Sequence, residues 1–205
     1  SETYGQGRKT GTWLSHHANG NTKESVIYAN NRKHGNATTW YENGKKKGVK
    51  TFEDGRPSGP STSYFDNGTV KTDEVWVDGK KNGPATVWQR PGVLGSEGSY
   101  QADVKHGAWA EYHKNGKIKW KGTYDQGLLS GGFESWYPNG QSQATGKYAI
   151  SANDSGRESA EAGQWTAWYS DGSKASVIDL DKGTADLMST DASAWLNLQR
   201  NESAW

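Results

Sequence analysis

The sequence predicts an all-β protein, an elongated array of tandem β-hairpins that form a twisted antiparallel meander. Glycine recurs every 24 residues, a second glycine follows nine residues after each of these, and aromatic residues occupy fixed places between them. The first glycines of the units are Gly11, Gly35, Gly59, Gly83, Gly107, Gly131 and, after eight additional residues, Gly163. A fixed period between about 20 and 50 residues is typical of repeat architectures.

Each unit has the composition of one hairpin, with positions counted from its first glycine as position 1. Positions 9 and 10 are mostly Asn-Gly, which supplies the positive φ of a tight hairpin turn. Aromatic and β-branched runs on both sides predict strands at positions 3–8 and 12–19. Links such as 54–57 again carry turn residues. Seven hairpins in series therefore predict about fourteen strands.

Aromatic rings replace aliphatic side chains as the predicted core. The chain has 205 residues with 11 Trp and 10 Tyr, and each ring can bury about 150–250 Å². We expect the core rings at positions 6 and 18. Position 6 holds His16, Trp40, Tyr64, Trp88, Tyr112, Trp136 and Trp168, and position 18 holds Tyr28, Phe52, Trp76, Tyr100, Tyr124, Tyr148 and Leu180.

The repeats are expected to occupy residues 1–183, beginning with a partial repeat before Gly11. Pro91-Gly92 replaces Asn-Gly in the fourth unit and predicts a wider turn, because proline cannot donate to the ladder. The eight added residues fall within 150–162 and predict a polar surface loop. The tail, 184–205, carries apolar residues at helical spacing and predicts a short C-terminal helix that caps the open last strand.

The sequence points to no catalytic residue, no metal and no cofactor. It has no Cys, and no serine lies in a recognisable nucleophile motif. His34 and His106 share one repeat position, and His17 and His113 share another. Units advance by two strands, so these pairs would lie roughly 29 and 38 Å apart, too far to share a metal. No apolar run approaches the length of a transmembrane helix.

Three segments carry a resemblance to a known family: GNATTWYENGKKKG, GAWAEYHKNGKIKWKGTYDQG and GGFESWYPNGQSQATGKY. They resemble MORN repeats, most closely the bacterial variant called the YwqK-type antitoxin component. The resemblance covers about residues 4–183. It implies a β-hairpin array with a non-catalytic binding role, such as scaffolding, dimerisation, lipid contact or toxin neutralisation. It implies no catalytic residues.

Lysines follow the hairpin turns, and they have two interpretations. Residues 1–149 carry 20 basic and 14 acidic side chains, whereas residues 150–205 carry 4 and 9. The first interpretation is edge protection, because lysine on an exposed strand discourages pairing with other chains. The second is an anion-binding flank for an acidic protein or for lipid headgroups. Nucleic acid is not favoured, because the net charge of the chain is only +1.

Position 7 predicts a binding surface because it varies between aromatic, His and Gln residues and should point away from position 6. Exposed aromatic rings beside lysines are the usual composition of a protein-binding hot spot. The candidate residues are Tyr41, Phe65, Tyr137, Tyr169, Lys45, Lys46, Lys47 and Lys71. Substituting these rings should weaken binding, whereas substituting Trp40 or Trp136 should destabilise the fold.

These observations favour a non-catalytic scaffold that binds another protein, in an antitoxin- or immunity-like role. The alternative is a module that binds envelope glycan or anionic lipid headgroups, since sugars also stack on Tyr and Trp. A homodimer is a further option. The lack of Cys and a first residue other than Met favour an exported, periplasmic location over the cytoplasm, and both stay open.

Overall fold

The computed structural model describes residues 3–153 and 156–187, and these residues contain only strands and turns. They fall into two compact units, one that ends at Val104 and one that begins at Lys105. Within each unit, consecutive strands pair antiparallel in chain order. The prediction of an all-β antiparallel meander is confirmed. The described residues hold sixteen strands rather than about fourteen, because β1 belongs to the partial first repeat and β16 to the tail.

The first unit contains β1 (Thr3–Gly5), β2 (Arg8–His16), β3 (Thr22–Ala29), β4 (Arg32–Trp40), β5 (Lys46–Glu53), β6 (Arg56–Tyr64), β7 (Val70–Val77), β8 (Lys80–Arg90) and β9 (Val93–Gln101). The second strand of each repeat begins near position 12, as predicted. The first strand begins three residues before the first glycine and in most repeats ends at position 6, so it starts earlier than predicted.

The second unit contains β10 (Val104–Tyr112), β11 (Ile118–Asp125), β12 (Leu128–Trp136), β13 (Ser142–Asn153), β14 (Gly156–Trp168), β15 (Lys174–Asp179) and β16 (Thr184–Leu187). Only the first residue of β10 belongs to the other unit. The eight added residues do not form the predicted loop. They lengthen β13 and β14, whose pairing continues to Asn153↔Gly156 as an extension of the existing antiparallel ladder.

Two kinds of turn alternate along the chain. The links between repeats are two-residue turns in which both residues have positive φ, for example Asp54 (46°) and Gly55 (87°). This is the type I′ geometry, which matches the twist of the flanking strands. In the Asn-Gly turns only the glycine has positive φ, as at Gly44 (80°). The glycine of the Asn-Gly pair thus supplies the predicted positive φ, and the Asn side chain closes the turn by a hydrogen bond.

The fourth repeat has a tighter turn than its neighbours. Arg90 pairs with Val93, which leaves only Pro91 and Gly92 outside the ladder. The predicted wider turn is wrong. Proline sits where no ladder donor is needed, and Gly92 takes a φ of 75°.

The first glycine of most repeats lies in a β-bulge, as the register shows for Gly35, Gly59, Gly83, Gly131 and Gly163. On one side of β4 the pairing jumps from Val26↔Ala37 to Tyr28↔Lys33, so Gly35 and its neighbours are extra residues. Gly35 has a φ of 81°, which other residues rarely adopt. On its other side the same glycine pairs with Phe52 at position 18. The repeated glycine therefore shifts the register of its strand against the preceding strand. It also leaves space opposite the position-18 ring of the following strand.

The predicted C-terminal helix is wrong for its first residues. Residues 184–187 form β16, which pairs with β15 from Asp179↔Thr184 onward. Gly183, with a φ of 65°, turns the chain back onto the open edge of β15, and a strand satisfies the exposed backbone groups there. The rest of the predicted helix, 188–205, lies outside the described residues.

The core of each unit lies along a row of side chains that crosses the strands at positions 3 and 16, called here the central row. In the first unit, register pairs connect Ala37, Lys50, Ser61, Glu74 and Ala85. Ladder partners point to the same face of a sheet. Ala37, Ser61 and Ala85 are buried, so this part of the core is built from small side chains.

The central row of the second unit alternates rings with glycines. It reads Trp109, Gly122, Phe133 and Gly146, and Trp165 closes it from the bulge in β14. Trp109 and Trp165 are only 5% and 2% exposed. Tyr148 at position 18 packs against Trp165 and Phe133, with ring centroids 5.3 and 5.5 Å apart. The aromatic core is thus concentrated in this unit.

The residues at position 6 do not form a buried row. The prediction that Trp40 and Trp136 are core residues is therefore wrong. All four tryptophans at this position are only half-buried. Successive side chains of a strand point to opposite faces of the sheet, so position 6 faces away from the central row at position 3. Trp136 lies instead beside Lys121, whose Nζ is 5.4 Å from its ring centroid.

Candidate interaction surfaces

The Asn-Gly turns of successive repeats are joined into a ladder, called here the hairpin-turn edge (17–21, 41–45 and 65–69 in the first unit). Asn43 Oδ1 accepts a hydrogen bond from the Lys45 backbone N–H (3.0 Å), which closes its own turn. Asn43 Nδ2 donates to the Asp66 carbonyl of the next turn (3.2 Å). Asn19 makes the corresponding bond to Glu42 (2.8 Å). These bonds fix the spacing of the turns.

Position 7 adds a second set of links along this edge. Tyr41 Oη donates to the carbonyl oxygen of Tyr64 (2.7 Å), and His17 Nε2 contacts that of Trp40 (2.9 Å). In each case the acceptor is position 6 of the next repeat. Tyr, His and Gln at this position share a polar end, and Tyr41 and His17 use theirs for this bond. Variation at position 7 therefore reflects a structural link as well as partial exposure.

The geometry of glycine bulge, Asn turn and position-7 link defines a repeating hairpin unit. Two segments, 33–54 and 105–126, match a family model described as a MORN repeat variant. Both segments begin at the same repeat position, three periods apart. MORN repeats are in general scaffolds for interaction with proteins or membranes. No curated protein matches the chain.

The predicted lysines cluster around the MORN-like turns of the first unit. Lys47 Nζ lies 5.6 Å from the ring centroid of Tyr41, and Lys71 Nζ lies 5.8 Å from that of Phe65. Lys45 Nζ donates to the Asn67 carbonyl of the next turn (3.1 Å). Lys46 is exposed at the start of β5. Two adjacent turns thus present a half-buried ring with an ammonium group over it.

The predicted row of four rings is divided between the units. Tyr41 and Phe65 lie on adjacent turns of the first unit, and Tyr137 and Tyr169 lie on adjacent turns of the second. All four rings are half-buried. Tyr137 Oη donates to the Trp168 carbonyl (3.0 Å), and burial, helped by Tyr169, raises the pKa of the Tyr137 hydroxyl.

One face of the first unit carries lysines over the position-18 rings. Lys33 Nζ lies 5.2 Å from the Phe52 centroid, and Lys50 Nζ lies 4.0 Å from that of Trp76. Lys81 contacts two rings and also pairs with Glu74 at 2.7 Å. Cation–π contacts of this kind contribute about 0.5–1 kcal/mol at exposed sites and more when desolvated. Ring-on-ring contacts in this unit involve Tyr4, Trp13 and Tyr28 of its first strands.

The second unit contains an open cavity of about 350 Å³ beside its aromatic core. Its walls include Trp120, Tyr124, Phe133 and Tyr148, and Lys105 and Glu111 also line it. The rings come from β11, β12 and β13, so they meet only through strand pairing. Sequence reasoning placed none of them in a binding site, although the rings at position 18 were expected in the core.

Sequence reasoning also missed position 3. It holds Trp13, Ala37, Ser61, Ala85, Trp109, Phe133 and Trp165, a mixture that hides its role as the buried centre of the hairpin. The useful signal was the partner across the ladder, because the large residues Trp109 and Phe133 face glycine at position 16.

The described residues contain no group of three or more His, Asp or Glu side chains placed to hold a metal ion. In the same residues no helix is long and apolar enough to cross a membrane.

Proposed function

We propose that this chain is a non-catalytic scaffold that binds an acidic protein partner through the hairpin-turn edge of its first unit. The observation that carries the proposal is the arrangement of Tyr41 with Lys47 and of Phe65 with Lys71 on adjacent turns. Lys45 and Lys46 extend the positive charge between them. Within the described residues none of these four lysines forms a salt bridge, so their charges are available to a partner.

The edge is well suited to binding because it is already rigid. Asn43, Tyr41 and Lys45 each bond to the next turn, so little side-chain freedom remains to be lost on association. Rings half-exposed at the centre and cations at the rim are the usual arrangement of a hot spot. Carboxylates of a partner would meet ammonium groups that form no salt bridge within the described residues, which favours fast and specific encounter.

The test compares two charge reversals of the same size. Lys46→Glu changes the hairpin-turn edge, and Lys80→Glu changes an exposed lysine beside the opposite turns of the same unit. Partners cross-linked to the wild-type protein in a source lysate are identified and then titrated, purified, against each variant. We expect Lys46→Glu to weaken binding about tenfold and Lys80→Glu to leave it unchanged.

Ring variants test the same surface. Phe65→Ala is expected to weaken partner binding by about 1–2 kcal/mol, within the range of hot-spot truncations. Tyr41→Ala should do the same, with some loss of stability because its hydroxyl supports Tyr64. Equal binding by the wild type and all these variants would show that the partner docks elsewhere. If the wild type binds anionic lipid vesicles and Lys46→Glu does not, the partner of this edge is a membrane rather than a protein.

We further propose that the partner is a bacterial toxin that the scaffold neutralises. The resemblance of the repeats to the YwqK-type variant supports this, and the basic edge suits an acidic surface. Co-expression with the product of the neighbouring gene should restore growth when that product is toxic. Lys46→Glu should abolish the rescue while Lys80→Glu preserves it. A neighbouring product with no effect on growth, alone or combined, would rule out this role.

A further inference from the structure

The cavity of the second unit is separate from the hairpin-turn edge and has no part in the proposed function. Four rings form its walls: Trp120, Tyr124, Phe133 and Tyr148. Trp120 and Phe133 are stacked, with centroids 5.9 Å apart and planes at 23°. Tyr124 stands edge-on to Trp120 at 62°, and Tyr148 stands edge-on to Phe133 at 87°. These contacts hold the rings in fixed positions around the open space.

The cavity also carries one charge of each sign. Lys105 and Glu111 line it, and both side chains are half-buried. Within the described residues neither side chain forms a salt bridge. Lys105 Nζ lies 4.6 Å from the Trp109 centroid and 4.9 Å from the Tyr124 centroid. Lys119, whose pKa is lowered by burial and raised in part by Glu111, lies outside the lining.

The two charges stand apart along one strand. Lys105 and Glu111 lie on either side of Trp109 in β10, and the Lys105 ammonium group rests against the Trp109 ring. The two charges therefore occupy different places along the same cavity. The cavity favours a longer ligand that presents polar groups along its length and apolar surface to the rings.

The charges exclude other classes of ligand. An apolar side chain would bury the charges of Lys105 and Glu111 further without offering either of them a hydrogen bond, which is costly. A phosphate or carboxylate would meet Glu111, and an ammonium group would meet Lys105. A neutral ligand with hydroxyl groups satisfies both ends, because a hydroxyl can donate to the carboxylate and accept from the ammonium.

We propose that this cavity binds a neutral saccharide of about two sugar rings. The C–H face of a pyranose carries partial positive charge and fits the negative face of an aromatic ring. The sugar would stack on the face of Trp120 that is not covered by Phe133, while Glu111 and Lys105 bind hydroxyl groups. Ser159 Oγ, which donates to the Leu129 carbonyl (2.6 Å), keeps its lone pairs for a further hydroxyl. The volume of about 350 Å³ lies at the small end of ligand pockets.

The experiment titrates the full chain with neutral disaccharides and follows tryptophan fluorescence and saturation-transfer NMR. The probes are cellobiose, maltose and N,N′-diacetylchitobiose, beside glucose 6-phosphate, glucosamine and adenosine. We expect one or more disaccharides to bind with a dissociation constant below about 10 mM. The phosphate and the amine should bind at least about tenfold more weakly, because each meets a like charge.

Three variants locate the site. Trp120→Ala removes a wall and should weaken binding about tenfold. Glu111→Gln keeps the shape and should weaken it about fivefold, since a charge-assisted hydrogen bond becomes a neutral one. Trp136→Ala removes a ring of the same unit that does not line the cavity, and it should bind as the wild type does. Melting curves show whether Trp120→Ala is folded. If Trp120→Ala is unfolded, the binding measured for Glu111→Gln tests the proposed site.

The outcomes are separable from those of the protein-binding test, which uses substitutions in the first unit. No disaccharide binding below about 10 mM would overturn the proposal. So would equal binding by wild type and Glu111→Gln, or tighter binding of adenosine or glucose 6-phosphate than of every disaccharide. Loss of partner binding in Lys46→Glu with intact saccharide binding would show that the two sites act independently.

Discussion

The two units share one repeat frame but fill much of the central row with different kinds of side chain. In the second unit a ring at position 3 faces a glycine at position 16, as in Trp109↔Gly122. In the middle of the first unit a small residue faces a charged one, as in Ala37↔Lys50 and Ser61↔Glu74, whereas its first repeat pairs Trp13 with Val26. The same backbone therefore supports a packed aromatic core in one unit and a face of lysines over rings in the other.

The difference shows that the repeat frame specifies the fold but not which contacts stabilise each unit. Burial of large apolar surface stabilises more than cation–π or salt-bridge contacts of half-exposed groups. We therefore expect the second unit to depend strongly on single ring positions. The first unit should depend on many weak contacts, and each of its substitutions should have a small effect.

Truncation of the central ring of the second unit should have the largest effect. Trp165 is 2% exposed and packs on Tyr148 and Phe133. Trp165→Ala should lower the free energy of unfolding by about 3–5 kcal/mol, as for other buried aromatic truncations. Trp40→Ala, at a half-buried position of the first unit, is the matched control and should cost less than half as much. Equal losses in denaturant titrations would contradict the contrast between the units.

Adding one methyl group to the central row of the second unit should have the next largest effect. A Cβ at Gly146 would clash with the indole of Trp165, whereas one at Gly132 meets no atom within 4 Å. Gly146→Ala should cost about 1–3 kcal/mol by overpacking. Gly132→Ala should change stability by less than about 0.5 kcal/mol. Thermal melts decide this, and a stable Gly146→Ala variant would mean that the indole can move aside.

The half-buried ion pair of the first unit should give a smaller, pH-dependent effect. Burial lowers the pKa of Lys81, but the hydrogen bond and charge of Glu74 outweigh it, so the pKa rises above its ordinary 10.5. A raised pKa in the folded state means that the contact stabilises below that pH and is lost above it. Glu74→Gln should cost about 1 kcal/mol at neutral pH, with the difference from wild type shrinking above roughly pH 10.5.

The second unit provides the control for this ion pair. Lys121 and Glu134 lie 3.0 Å apart with side chains 51% and 45% exposed. Water screens such a pair, so Glu134→Gln should change stability little at any pH. A larger loss for Glu134→Gln than for Glu74→Gln would contradict the view that the first unit depends on its charged face.

The smallest expected effect is the loss of one cation–π contact. Lys50 Nζ lies 4.0 Å from the Trp76 centroid, above the small residues of the central row. Lys50→Met keeps the apolar stem and removes the charge, and it should cost about 0.5 kcal/mol. Amide hydrogen exchange in β5–β7 should rise while β12–β14 stay unchanged. Faster exchange in β12–β14 would show that the units are not independent in stability.

Much of the local structure could be predicted from single residues. The period of glycine gave the repeat, and the second strand of the hairpin began where Asn-Gly predicted. The faces of the sheet could not be predicted in the same way. Rings stand at odd and even positions, so alternation alone leaves two assignments open. A shift of one residue moves every side chain to the opposite face, and the bulges at position 1 and before position 6 set that phase.

The candidate sites divide in the same way. The pairing of Tyr41 with Lys47 and Phe65 with Lys71 follows from neighbouring turn positions, so the sequence could indicate it. The cavity of the second unit could not be found, because Lys105 and Tyr148 are 43 residues apart in the chain. Its shape depends on which rings the strand register brings together.

The sequence by itself determined the turns and the period, because positive φ is a property of individual glycines such as Gly35 and Gly44. Only the tertiary structure decided which rings are buried, because burial depends on the residue across the ladder. Trp165 is enclosed since Gly146 leaves space beneath its indole. In the first unit Lys50 occupies the equivalent place in the row, and its charge keeps that face polar.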